Sequence, residues 1–310
     1  MIRGLPPSTE RFLLDVSRIQ KREERAQRQI TTGLKLQQVS DNPNAVSRLL
    51  DSRAGLERVV QTRLNLGRVK VEVDTAEKAL GQAVEIMDKA RGLGTQGASG
   101  HQDAATRRHV ADELQSLLDR LVGIASTAVE GRYLFSGDTD QTRPYALDPA
   151  VPAGVSAYQG APSTRQIADH SGATFAVAQS ADVIFDSANP DENVFLAING
   201  LRRALLAVDN PPDPPDPTIP SIDTALSNLN SANVHLNRHL AGYGLVQNRV
   251  DDSLEAATKI ELSLKLQIST IEEADLAEAV SELQQSRTNL EAAFTARAQT
   301  PTRSLFDYVG

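Results

Sequence analysis

The sequence predicts a mainly α protein in which both chain ends contribute long antiparallel coiled-coil helices and a small β-rich domain is inserted in the middle. Three observations carry this. Leu66, Val69, Val73, Ala76, Leu80, Ala83, Met87 and Ala90 alternate steps of three and four without a miss, which is the narrow apolar seam of a coiled coil. The same spacing returns in Ile222, Ala225, Leu229, Ala232 and Leu236 and continues through Val246, Val250, Leu254, Ile260, Leu264 and Ile271. Between them, from Gly131 to about residue 190, the helical period gives way to short alternating pieces set apart by Gly, Pro, Asp and Ser, the pattern of short strands.

Taken in order, Pro6-Pro7-Ser8 is a helix-start signal, and Phe12, Val16, Ile19, Ala26 and Ile30 then set a stripe over about residues 8–31. The pattern breaks at Gly33, crosses a turn-rich patch and restarts before Ala45 as a helix of about 45 residues. Four glycines in "GLGTQGASG", Gly92 to Gly100, are expected to end it. A return helix follows from Asp103 to Glu130, with Val110, Leu114, Leu117, Leu118, Leu121 and Ile124 as its face, so the two form an antiparallel hairpin. The pieces "RYLFSG", "VSAYQG", "TRQIAD", "ATFAVAQ" and "DVIF" read as strands, with His170-Ser171-Gly172 as a hairpin turn. "NVFLAINGLRRALLAV" resumes a helix, and "NPPDPPDPTIP" is a stiff proline-rich linker. Ser221 is the expected N-cap of the long second seam. A last helix spans about Asp275 to Ala298 with Leu276, Val280, Leu283, Leu290 and Phe294 inward, stopped by Pro301.

These elements divide the chain into a first terminal helix (1–40), an outgoing coiled-coil part (41–136), the β-rich insertion (137–190), a returning coiled-coil part (191–270) and a second terminal helix (271–310). Such a path predicts a rod with both termini at one end. Two lone terminal helices are marginal by themselves, so the pair is expected to order only against neighbouring subunits. Their charges oppose: residues 1–33 hold 7 basic and 4 acidic groups, residues 271–310 hold 3 and 7. Two narrow stripes of similar length, each in need of a partner, favour their pairing.

Composition narrows the function. With no cysteine, neither a disulfide framework nor a thiolate metal site can form. At 4% aromatic residues and no tryptophan, a core built mainly from large rings is not expected. No run approaches the roughly 18 apolar residues of a membrane span, and the start "MIRGLPPSTERFLL" lacks a secretory signal core. The net charge of −8 is uneven, with +7 over residues 1–70 and −15 over the remainder. The basic residues are interleaved with Glu10, Asp15, Glu23 and Glu24 and have no stacking aromatics beside them, which argues against nucleic acid.

Enzymatic and metal chemistry is not expected, and no cofactor is implied. His235 and His239 stand four apart, but the glutamate of a zincin signature is missing after the first, where Leu236 stands; they read as surface histidines. His101 and His109 flank a glycine-rich loop with no nucleophile pattern. The adjacent pairs Asp251-Asp252 and Glu272-Glu273 diverge by about 100° on a helix and read as solvated faces.

The break itself carries a resemblance. "RQITTGLKLQQVSDNPNAVSRLLDSRAGL", residues 28–56, resembles the N-terminal signature of the bacterial flagellin superfamily: Thr32-Gly33 match the helix break, Lys35 the basic position and Ser40-Asp41-Asn42-Pro43 the turn. Asn42-Pro43, the "YLFSG" of Glu130–Tyr145, and the ending "SLFDYVG" look most like the hook–filament junction branch, the hook-associated proteins. The similarity covers about residues 8–145 and 190–310. The "PPDPPDP" linker, the acidic last helix and the very basic first helix depart from it.

The resemblance implies an exported structural subunit of the flagellum, outside the cell and without a cleaved signal peptide. It would form a ring of about eleven copies between the first junction protein and the flagellin filament, template filament growth, and be held before export by a cytoplasmic chaperone. A short flagellin shares the architecture and is the nearest alternative; an intracellular coiled-coil scaffold is another. The residues expected to act are interaction residues: Ile19, Ala26, Ile30, Gly33, Leu283, Leu290 and Phe294 in the terminal pair, and Leu305, Phe306 and Tyr308 toward a neighbour or the chaperone. A Leu-Phe and a Tyr so near an end mark an interaction surface.

Overall fold

The computed structural model describes residues 7–36, 42–99, 102–168 and 172–299. In chain order the elements are α1 (Pro7–Thr32), α2 (Pro43–Gly97), α3 (Ala104–Ala125), β1 (Ala128–Val129), β2 (Arg132–Tyr133), β3 (Gln166–Ala168), β4 (Thr174–Ala176), α4 (Ala181–Ile184), α5 (Val194–Asp209), α6 (Ile222–Glu272) and α7 (Leu276–Gln299). The protein is mainly helical, with two small antiparallel sheets, β1-β2 and β3-β4, among the described residues. The chain forms two units, Gln61–Thr258 and the combination of Met1–Val60 with Lys259–Gly310.

In the unit of Gln61–Thr258, all eight seam residues of α2 from Leu66 to Ala90 are buried. They share one core with Val110, Leu114, Leu117, Leu118 and Leu121 of α3 and with Ala225, Leu229, Ala232 and Leu236 of α6. Asp103 caps α3 by accepting from the Thr106 amide at 2.8 Å, and Ser221 Oγ accepts from the Thr224 amide at 3.2 Å at the start of α6. Across the antiparallel pairing of α2 and α6, Lys70 meets Asp251 at 2.6 Å, Gln247 donates to Asp74 at 2.7 Å and Asn233 to Asp88 at 3.0 Å. Asp251 is thus an inter-helix partner, not a merely solvated acid.

The glycine stretch does not end α2 where expected. The helix runs through Gly92 and Gly94 to Gly97. The reason is tertiary: a Cβ at Gly94 would lie 2.6 Å from a methyl of Leu201 and 2.8 Å from one of Leu226, and at Gly97 it would lie 3.0 Å from Leu205. These glycines let α5 and α6 approach the backbone of α2, and that packing outweighs the helix cost of about 1 kcal/mol per glycine.

α3 ends at Ala125 rather than Glu130. The next residues form the hairpin β1-β2, pairing Ala128 with Tyr133 and Val129 with Arg132. Its two-residue turn places Glu130 at φ 51° and Gly131 at φ 78°, the paired left-handed conformations that favour glycine in tight hairpins. β3 and β4 pair as expected, Gln166 with Ala176; His170 and Ser171 of the expected turn lie outside the described residues. "DVIF" contributes to helix α4, not a strand. Ala181, Ile184 and Phe185 are buried, a three-and-four spacing that a short apolar run hides.

The core is mostly aliphatic, as the composition predicts, and the few rings cluster in and beside this segment. Phe135 packs edge-on to Phe185 at 5.8 Å and Tyr243 at 6.4 Å. Tyr145 meets Phe195 at 5.0 Å and Tyr158 at 5.5 Å. Glu72 of α2 receives Arg132 at 3.1 Å and also pairs with Arg165, which fastens both hairpins to one carboxylate. The proline-rich segment is tied back to α5, since Arg203 reaches Asp216 at 2.5 Å and Thr218 at 2.9 Å.

His235 and His239 are not surface residues. His235 is 6% exposed, and its Nε2 lies 3.0 Å from the Val183 carbonyl, so that nitrogen carries the proton. Nδ1 lies 3.3 Å from Glu192 without hydrogen-bond geometry. His239 Nδ1 contacts Gln179 Oε1 at 2.5 Å, and the two rings sit 4.5 Å apart. The pair joins α6 to α4 and its flanks.

This packing can be tested by mutation and by pH. Gly94→Ala should cost about 1–3 kcal/mol by overpacking against buried Leu201, whereas Gly92→Ala, with nothing within 4 Å of the new methyl, should gain about 0.5–1 kcal/mol; thermal unfolding followed by circular dichroism separates the two signs. Burial, reinforced by His235 and Arg238, pushes the His239 pKa down from 6.5 to about 4. The unfolded chain therefore takes up the proton first, so stability is complete above about pH 6.5 and declines as pH falls toward 4. Urea midpoints should drop between pH 6.5 and pH 5, and His239→Gln should flatten that slope.

Candidate assembly interface

The second unit brings the two terminal helices together. Phe12, Val16, Ile19, Ala26 and Ile30 recur on one stripe of α1; Val16 and Ala26 are buried and the other three half-buried. α7 covers that stripe, running antiparallel to it. Near one end Phe12 and Phe294 meet edge to face at 6.1 Å, Arg297 lies 5.7 Å over the Phe12 ring and donates to Thr9 Oγ1 at 2.8 Å. Further along, Arg287 Nε reaches Glu23 at 3.2 Å. This cross-helix pair takes its acid from the basic helix and its base from the acidic one, opposite to the net charges.

At the other end the two chain breaks hydrogen-bond to each other. Gly33 adopts φ 70°, and its amide still reaches the Gln29 carbonyl at 2.8 Å, which is the left-handed helix ending that glycine makes cheaply. Leu34 then pairs antiparallel with Glu273: the Lys35 amide donates to the Glu272 carbonyl at 2.7 Å and the Ala274 amide to the Gly33 carbonyl at 2.9 Å. Arg53 binds both carboxylate oxygens of Glu272, at 2.7 and 2.8 Å, so Glu272 is not a solvated acid either. Asp275 caps α7 by accepting from the amides of Ala277 and Glu278 at 2.9 and 3.2 Å. The interruption after α1 thus fixes its register against the interruption before α7.

The structure brings together Ile19, Ala26, Ile30, Leu283 and Leu290, with Phe294 touching by one edge while 51% exposed, and Gly33 at the bridge. Leu276 and Val280, expected inward, are 51% and 41% exposed; Ala279 and Ser286 occupy the buried places. Small side chains let the two backbones approach, and the larger ones are displaced to the rim. Leu305, Phe306 and Tyr308 lie outside the described residues, as does His101. Arg53, Glu272 and Asp275 were missed as a set, because a bridge between residues so distant in sequence leaves no local period. Among the described residues no group of three or more His, Asp or Glu could hold a metal, and no helix is long and apolar enough to cross a membrane.

This architecture is that of a known class. The family model for the bacterial flagellin N-terminal helical region matches residues 11–140, and that for the bacterial flagellin C-terminal helical region matches residues 222–309, together more than two thirds of the chain. The chain belongs to the bacterial flagellin family, whose members are structural flagellar proteins and not enzymes. Among solved structures it shares the fold of FlgL-type proteins. It matches a flagellar hook-associated protein of Vibrio parahaemolyticus at 19% identity and TM-score 0.63, covering 75% of this chain and all of that one. It matches FlgL of Xanthomonas campestris at 16% identity and TM-score 0.59, over 70% and 99% of the two chains. FlgL of Bacillus cereus matches at 16% and 0.56, over 71% and 99%. No curated protein sequence matches.

Replacing Gly33 by valine should cost about 1–2 kcal/mol through the left-handed backbone. The amides of Lys35 and Ala274 should then exchange with solvent about fivefold to thirtyfold faster, read by hydrogen exchange, while α3 amides are unchanged.

Proposed function

We propose that this chain is the hook–filament junction subunit of a bacterial flagellum, exported and assembled as a ring of about eleven copies on the first junction protein, where it templates the flagellin filament. The observation that carries the reading is the terminal helix pair. It buries one stripe between α1 and α7 yet leaves Leu13, Leu14, Leu276, Val280 and Phe294 at 41–60% exposure. Large apolar side chains at that density on a two-helix unit need neighbours. Solved structures it matches include hook-associated and FlgL proteins, and "YLFSG" with "SLFDYVG" favours that branch over a short flagellin.

In this reading Ile19, Ala26, Ile30, Gly33, Leu283, Leu290 and Phe294 set the shape of the pair. Leu305, Phe306 and Tyr308 contact the adjoining subunit after assembly and the cytoplasmic chaperone before it. Deleting the gene, with electron microscopy of the cells and a flagellin assay of the medium, tests this. Hooks without filaments and free flagellin in the medium are expected. Normal filaments would overturn the reading, and a chain that proves to be the bulk filament protein would make it a flagellin.

A further inference from the structure

The proline-rich segment after α5 is a motif that the assembly reading leaves unused. Residues 210–220 read "NPPDPPDPTIP", and Pro211, Pro212, Asp213, Pro214, Pro215 and Pro217 are exposed. The segment is nevertheless tied down. The Asp216 carboxylate accepts from the Thr218 amide at 2.8 Å, from Thr218 Oγ1 at 2.7 Å and from Arg203 of α5 at 2.5 Å, while Ile219 and Ile222 pack against the core of this unit. Its shape is therefore set before anything meets it, which lowers the ordering cost of binding.

Between this segment and the last turns of α5 lies a hollow of about 370 Å³, within the range of about 300–1,000 Å³ of small-ligand clefts. Ala204, Ala207 and Val208, three and four apart on α5, form one apolar wall, and Pro211, Pro212 and Pro215 form another. Val208 is 53% exposed, so the hollow is open to solvent. Its backbone is one-sided, because proline has no N–H and, among the described residues, no carbonyl of residues 211–215 accepts a hydrogen bond. The segment thus offers acceptors without donors. Asp213, exposed between Pro212 and Pro215, makes no ion pair among the described residues. Arg203 is engaged by Asp216, and Arg108 lines the neighbouring hollow across Pro212.

We infer that this hollow docks a partner protein through an exposed tryptophan that has a lysine or arginine beside it. Proline rings pack on aromatic faces, which is how proline-rich segments are generally recognised. An indole also brings the N–H donor that the free carbonyls lack, and a neighbouring cation meets Asp213. A second copy of this chain does not supply that chemistry. It has no tryptophan, and each of its tyrosines among the described residues is buried or half-buried. The inference is independent of the assembly reading and stands or falls by its own experiment.

Because the chain lacks tryptophan, the indole of an added peptide is the only one in solution and its emission reports binding directly. The probe is the peptide acetyl-Lys-Trp-Lys-amide, titrated with the purified full-length chain. A saturable shift of the emission to shorter wavelength is expected, with a dissociation constant at or below about 1 mM. Val208→Asp sets a charge against the ring and should weaken binding about tenfold or more, whereas Asp213→Asn removes an exposed charge and should weaken it about twofold to fivefold. Both positions are exposed, so circular dichroism melts should match wild type; Pro212→Ser, outside every helix, should weaken binding about threefold or more and serves if Val208→Asp disturbs α5. No saturable shift with wild type up to about 1 mM, or the same binding by Val208→Asp and Pro212→Ser, overturns the inference. If a peptide of residues 301–310 displaces the probe below the probe's own dissociation constant, the occupant is a second copy of this chain and the inference is also wrong.

Discussion

The central unit depends on covering one narrow stripe. The eight α2 residues from Leu66 to Ala90 form a seam too thin to be buried by curvature or by a single partner, and every one is buried. That requires elements from distant parts of the chain: α3 next in sequence, α5 beyond the inserted hairpins, and α6 more than a hundred residues away. The alanines at 76, 83 and 90 are as necessary as the leucines, because three helices can converge on one stripe only where some side chains are small. Gly94 and Gly97 extend that logic to its limit, giving up the side chain altogether where α5 and α6 press closest.

The inserted segment solves a different problem. Its strands are two and three residues long, too short for sheet hydrogen bonding to hold them. Six rings, Phe135, Tyr145, Tyr158, Phe185, Phe195 and Tyr243, supply the packing instead. Burial raises the pKa of Tyr158 to about 12 and that of Tyr243 to about 12, so both phenols stay neutral: the Tyr158 O–H is shared between the carbonyls of Phe135 and Ala161, each at 3.1 Å, and the Tyr243 oxygen accepts from the Gln179 amide at 3.1 Å. Glu72 then joins this segment to the helical seam through two arginines from two hairpins. One carboxylate serving two guanidiniums leaves a surplus positive charge, which Asp140 offsets at 3.8 Å from Arg132.

What the sequence made legible follows from where the information is local. The α2 seam, the α6 seam running through Gly242-Tyr243-Gly244, the caps at Asp103 and Ser221 and the break at Gly33 are all set by residues within a few positions of each other. The errors arise where a distant partner decides. "GLGTQG" reads as a helix stop until Leu201 and Leu205 are placed against it. "DVIF" reads as a strand because four residues cannot reveal a period, and the end of α3 is hidden because Ala128 and Val129 suit a helix as well as a hairpin. In the terminal pair the inward face of α7 was legible at Leu283 and Leu290 but not at Leu276 and Val280. Apolarity favours Leu276 and Val280 as the inner positions, whereas close approach of two backbones selects Ala279 and Ser286.

That last substitution of roles bears on function. A helix pair built to be stable alone would turn its largest apolar side chains inward, gaining about 1.5–3 kcal/mol for each one fully buried. α7 does the reverse at Leu276 and Val280, and leaves Phe294 half outside. The pair is held in register less by its own seam than by the hydrogen-bonded breaks, with Gly33, Lys35, Glu272 and Ala274 joined through the main chain and Arg53 clamping Glu272. Register fixed by backbone at one end therefore leaves this apolar bulk on the surface of the pair. On the proposed reading, such a unit would give up stability as a free chain for the capacity to gain it from adjoining copies, since binding that favours only the folded form adds to its stability.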